Sequence, residues 1–88
     1  MKKITQGTRT YPTLENITFP KEGEYFKHPT TGEWHANAPG NHYGNLDNHT
    51  VTEHEDGTIT VSPSILITDG ENKTEWHGYL EKGVWRSV

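Results

Sequence analysis

The chain of 88 residues has a net charge of −4, no cysteine and only 28% apolar side chains. A disulfide scaffold and a cysteine-held zinc are therefore excluded, and no basic stripe is present for nucleic acid. The start, Met1-Lys2-Lys3-Ile4, has no apolar run behind it, so neither a signal peptide nor a membrane span is expected.

The length predicts a single β domain over residues 1–88. Residues 4–10, 14–19 and 24–27 are short strand candidates, punctuated by Pro12, Pro20 and Gly23. Residues 28–48 are expected to be a long Gly/Pro-rich loop, of the kind that often carries function. His28, His35, His42 and His49 recur every seven positions. Pro29, Gly32, Pro39, Gly40 and Gly44 between them rule out a helix.

Beyond Asn48 the alternation of side chains is clear enough to predict register. A two-residue turn at Asp56-Gly57 would set His54 opposite Ile59, Glu53 opposite Thr60 and Thr52 opposite Val61. A slip by one would place Glu53 against Ile59, which the hydrophobic pattern argues against. Ile59, Val61, Pro63, Ile65 and Ile67 share one parity and predict one long strand, with Pro63 at an edge, bulge or corner. A two- or four-residue loop near Asp69-Gly70 adds Trp76, Gly78 and Leu80 to the same face. Glu81-Lys82-Gly83 fits a three-residue loop with Gly83 left-handed, which sets Val84 opposite Leu80 and Trp85 opposite Tyr79.

The expected core face is thus Ile59, Val61, Ile65, Ile67, Trp76, Leu80 and Val84. Leu66, His77, Tyr79 and Trp85 fall on the other face, to be covered by residues 1–48 as a second layer or used for binding. The fold class that follows is all-β: a small antiparallel meander or compact sandwich with a Gly/Pro-rich central loop.

Six histidines raise the question of a metal. No two have the spacing of a metal-binding helix, and a site would have to bring His35, His42 and His77 together through space. His54 is expected to be a hydrogen-bonded residue at the core margin. Asp56 is explained by its turn, Ser62-Pro63-Ser64 by a strand corner, and no nucleophile elbow or phosphate loop is present. Neither an enzyme nor a cofactor is expected. The remaining constellation is aromatic and polar: Trp34, His35, His42, Tyr43, His77, Tyr79 and Trp85, with the amides of Asn37, Asn41 and Asn45. Rings beside imidazoles and amides suit a surface that grips a small molecule or a protein partner.

The run from Asp56 to Ile67, with its Pro-Ser-Ile strand, and the Trp76-His77-Gly78 hairpin ending at Trp85 resemble small uncharacterised proteins of tailed bacteriophages and prophages. The resemblance covers about residues 34–88. It implies a phage accessory protein in the host cytoplasm and carries no activity with it. The expectation is a non-enzymatic binding module acting on a host protein or small molecule, including a counter-defence role, with no nucleic acid or membrane partner. Strand edges would also allow a homo-oligomer. The alternatives are a virion or assembly component and a His-dependent metalloenzyme.

Overall fold

The structure, a computed structural model, describes residues 4–68, 71 and 73–88. Its strands are β1 (Ile4–Gln6), β2 (Thr8–Arg9), β3 (Glu24–Lys27), β4 (Trp34–Ala38), β5 (His42–Asn45), β6 (Thr50–Glu53), β7 (Ile59–Thr68), β8 (Thr74–Glu81) and β9 (Val84–Ser87). They form a five-stranded sheet ordered β1-β9-β8-β7-β6 and a four-stranded sheet ordered β2-β3-β4-β5. All pairings are antiparallel except β2 with β3. The class is all-β, as expected.

The two sheets share one core. The large sheet contributes Ile59, Val61, Ile65, Ile67, Trp76, Leu80 and Trp85, and the small sheet and the residue after it contribute Tyr25, Ala36, Ala38 and Leu46. The chain crosses between sheets at Gly7, whose N–H donates to Gly83 O at 2.8 Å. A Cβ there would lie 2.6 Å from that carbonyl and 3.0 Å from Trp85 Nε1, so only glycine fits the corner. The predicted strand over 4–10 is therefore broken in two. Residues 14–19 form no strand and run as turn and coil.

Strand β7 is continuous, as its parity suggested. Its register against β8 shifts between Val61 and Ile65, around Pro63, and it keeps Trp76 opposite Ile67, Gly78 opposite Ile65 and Leu80 opposite Val61. The Asp69-Gly70 turn lies outside the described residues.

The two flanking turns differ from expectation, each by one residue. The β6–β7 hairpin pairs Glu53 with Ile59 and Val51 with Val61, and His54 N–H donates to Thr58 O at 2.8 Å, leaving a three-residue loop of Glu55, Asp56 and Gly57. Gly57 is left-handed at φ 88°, and Asp56 Oδ1 accepts from Thr58 N–H and Oγ1–H at 3.0 and 2.6 Å. Glu53 tolerates its position beside Ile59 because β6 is an edge strand, and its carboxylate meets Arg9 Nη1 at 3.1 Å. In return Val51 packs against Val61 and the core margin.

The β8–β9 turn is the tighter one. Glu81 pairs with Val84 and Leu80 with Trp85, so the loop is Lys82-Gly83 alone, at φ 48° and 76°. Two consecutive left-handed residues make the turn that matches strand twist. Lys82 N–H donates to Thr60 Oγ1 and Gly83 N–H to Ile59 O, both at 3.0 Å. The parity of β9 is thereby reversed. Trp85 is fully buried, and Val84 takes the half-buried outer position.

Two further expectations are corrected. Residues 28–48 are not one loop, because they contain the β4–β5 hairpin, turned at Pro39-Gly40-Asn41 with Gly40 and Asn41 left-handed. The second layer covers the Ile59 face, not the Tyr79 face. Leu66 stays 54% exposed on the outer side of the large sheet.

Candidate functional site

The outer face of the small sheet carries the most concentrated aromatic surface. Phe26 pairs with His35 across β3 and β4, and Asn37 with Tyr43 across β4 and β5. Side chains two apart share a face, so Phe26, His35, Asn37 and Tyr43 all point away from the core. The segment 17–20 lies across them. Phe26, His35 and Tyr43, with Ile17, Phe19, Pro20 and His28, frame a groove of about 330 Å³, and Asn37 lies buried behind it. A smaller recess of about 250 Å³ continues past Thr18 and Phe19 towards Tyr11.

The rings hold one another in a definite geometry. Phe19 stands edge-on to Tyr43, with centroids 5.0 Å apart at 78°. His35 lies 5.3 Å from Phe26 and is stacked near parallel to Tyr43 at 6.0 Å. Edge-to-face and offset pairs of this kind are favourable beyond the area they bury. His35 Nδ1 and Tyr43 Oη are 2.7 Å apart. The Glu33 carboxylate lies 3.8 Å from His35 Nε2. A carboxylate on that side favours the proton on Nε2, so Nδ1 accepts from the Tyr43 hydroxyl. Burial, with Asp47 and Glu33 adding to it, pushes the Tyr43 hydroxyl above the ordinary value of 10.0. It therefore stays protonated and able to donate at neutral pH.

Asn37 fixes the wall of the groove. It is buried, and its Nδ2 donates to Pro20 O at 2.9 Å and to Asn41 Oδ1 at 2.8 Å. The first bond anchors the segment next to Phe19. The second ties the same amide to the β4–β5 turn. Glu22 adds a contact from its carboxylate to Gly40 N–H. Phe19 itself remains 74% exposed and Tyr43 41%. Two large rings are thus held at the surface by a buried amide beneath them.

The other residues singled out from the sequence lie elsewhere. Trp34 faces the opposite way, packed against the core with the Arg9 guanidinium 4.7 Å from its ring. His42 meets Glu75 at 3.4 Å, joining the two sheets. His77 Nε2 is 3.0 Å from Ser64 Oγ on the outer face of the large sheet, where Tyr79 stacks under Arg86 at 4.6 Å. Trp85 is in the core, with Nε1–H donating to Gly23 O at 3.0 Å and its ring edge-on to Trp76. So of the seven, the groove holds only His35 and Tyr43, while His77 and Tyr79 share the outer face of the large sheet.

His35, His42 and His77 have separate partners, and among the described residues no three His, Asp or Glu side chains group as metal ligands. His54 sits half-buried with Nε2 2.7 Å from Thr60 Oγ1, as a bonded residue at the margin. The sequence reading missed Ile17, Phe19 and Phe26. The signal for Phe26 was present, since it alternates with Tyr25 in a correctly placed strand. Nothing in residues 14–19 indicated a coil laid across a sheet.

Among the described residues no helix is long and apolar enough to cross a membrane. No family model, curated protein or solved structure matches the chain.

Proposed function

We propose that the chain is a binding module that takes a planar ring into the groove between Phe19, Phe26, His35 and Tyr43. The observation that carries this is the exposure of Phe19 against a ring partner fixed beneath it. Leaving a Phe side chain in water forgoes about 1.5–3 kcal/mol relative to burying it. An incoming ring would recover part of that and would find the Tyr43–His35 pair ready to bond a polar substituent. The groove lies at the small end of ligand-site volumes, about 300 Å³ upwards, which suits one ring. That ring belongs to a small molecule or to a side chain of a host protein. The setting in a phage-infected cell, including counter-defence, rests on the resemblance in residues 34–88 and is part of the same proposal.

Phenol is the simplest probe. Titrated into ¹⁵N-labelled protein, it should shift the amides of Ile17, Thr18, Phe19, Phe26, His35 and Tyr43. Tyr43→Ala and Phe19→Ala should each weaken binding by about tenfold, the loss of roughly one aromatic contact. Shifts confined to the Leu66–Tyr79 face, or unchanged affinity in both variants, would reject the groove as the site.

A further inference from the structure

A second recess opens where the end of β2 meets the β3–β4 turn. Arg9, Lys27 and His28 line it, with Tyr11 and Pro12 on one side and residues 29–32 on the other, around about 530 Å³. No lining residue carries a carboxylate. In a chain with net charge −4 this is a local reversal of sign.

Each of the three donors has capacity to spare. Lys27 is exposed and takes part in no ion pair among the described residues. Its ammonium therefore faces solvent uncompensated. His28 Nδ1 accepts from Thr30 N–H and Thr31 N–H at 3.1 and 3.2 Å. That places the proton of the neutral ring on Nε2, which is left as a donor.

Arg9 is only 11% exposed along its side chain, with its guanidinium 4.5 Å from the Tyr11 ring and 4.7 Å from Trp34. Its Nη1 donates to Glu53 Oε2 at 3.1 Å and to Gly57 O at 2.8 Å. Its Nε is buried and has no hydrogen-bond partner. A buried N–H left unpaired costs about 1–3 kcal/mol, and Nε with Nη2 forms the edge that grips oxyanions side-on. With Glu53 set against Arg9, one positive charge, that of Lys27, remains unbalanced.

We infer that this recess binds a phosphate group, with Lys27 as its exposed donor, His28 as a half-buried one and Arg9 contributing its buried Nε. Three donors from three separate residues suit a tetrahedral oxyanion better than a flat carboxylate, which one guanidinium edge would satisfy. The inference does not depend on the ring groove, with which the recess shares His28 alone among its lining residues.

The test is a titration of the whole chain with sodium phosphate against sodium chloride at equal ionic strength, followed by ¹H–¹⁵N spectra. Phosphate should give saturable shifts at Lys27, His28, Thr30 and Thr31 and move the Arg9 Nε–H resonance. Lys27→Ala should weaken phosphate binding by about fivefold, the loss of roughly one charge-assisted bond, and Lys27→Arg should restore it. Lys27 is exposed, so both variants should melt with the parent. Parallel titrations with phenyl phosphate and a phosphoserine peptide distinguish a small-molecule source from a protein source by which binds tighter. Shifts no larger than those in chloride, or phosphate binding indifferent to Lys27→Ala, would overturn the inference. Phenol shifts at Phe19 and Tyr43 are a separate readout, so either site can fail without the other.

Discussion

Replacing Trp85 by alanine tests the register on which the inner and outer faces depend. Trp85 is fully buried, edge-on to Trp76 at 5.4 Å, with its indole N–H bonded to Gly23 O across the sheets. Truncating a buried Trp to Ala removes about 3–5 kcal/mol. The lost hydrogen bond adds about 0.5–1.5 kcal/mol. A domain of this length has about 4–13 kcal/mol of stability in all, at roughly 0.05–0.15 kcal/mol per residue. Trp85→Ala should therefore lose about 3.5–6.5 kcal/mol, between roughly a quarter and all of that stability. Trp85→Phe, which keeps a ring, should survive with a clear loss. Val84→Ala, at a half-buried outer position, should change stability by about 1 kcal/mol or less. Urea unfolding followed by far-ultraviolet circular dichroism would read all three. A three-residue turn would exchange the roles of the two positions. A folded Trp85→Ala losing under about 1 kcal/mol, with Val84→Ala the more damaging, would refute the Lys82-Gly83 turn.

Gly7→Ala should destabilise the domain by about 1–3 kcal/mol or more, because the new methyl meets backbone at Gly83 that cannot yield without opening β1 from β9. Thermal melting would show this as a drop of about 4–8 °C per kcal/mol. The Asp56 carboxylate is held below its ordinary value of 3.8 by the hydroxyl and backbone N–H of Thr58. A folded-state pKa below the unfolded one gives stability that is present above the unfolded value and lost as pH falls through the folded value. Asp56→Asn keeps an acceptor for Thr58 but cannot titrate. Its stability should therefore fall less steeply than that of the parent below about pH 4, as measured by urea midpoints across that range.

Much of the large sheet was legible because its inner residues are mostly large and alternate on both sides of Pro63: Ile59, Val61, Ile65, Ile67, Trp76 and Leu80. The two turns were harder for a specific reason. A glycine after a polar residue serves equally as the second residue of a tight two-residue turn and as the bulge residue of a three-residue one. Gly57 and Gly83 are both left-handed, so the glycine alone cannot choose. At Lys82 the choice is made by tertiary contact, since its N–H is met by Thr60 on β7 and the reversed parity buries Trp85 in place of Val84.

The β4–β5 hairpin was hidden because, Trp34 apart, its inner residues are small. Ala36 and Ala38 face inward on β4, and on β5 Gly44 faces the Ile67 side chain, which an added Cβ would meet at an ordinary contact distance of 3.5 Å. Alanine and glycine leave no hydrophobic alternation to read, while Pro39 and Gly40 announce only a turn. The groove was half visible for the same reason. His35 and Tyr43 stood out as residue types, but the hairpin that aligns them did not. The wall supplied by Phe19 depends on Asn37 reaching Pro20, a bond between segments with no local sequence signature.

The pairing of Thr5 with Trp85 sets strands from nearly opposite ends of the sequence side by side. Loops of that span close late, since the entropy of bringing distant segments together must be met before their contacts form. The β6 to β9 meander can assemble from neighbours in sequence, yet its flank stays open until β1 arrives. A nascent or partly refolded molecule would therefore pass through a form with β9 unprotected. In that form, strand exchange between two copies is the hazard to guard against when the protein is refolded at high concentration.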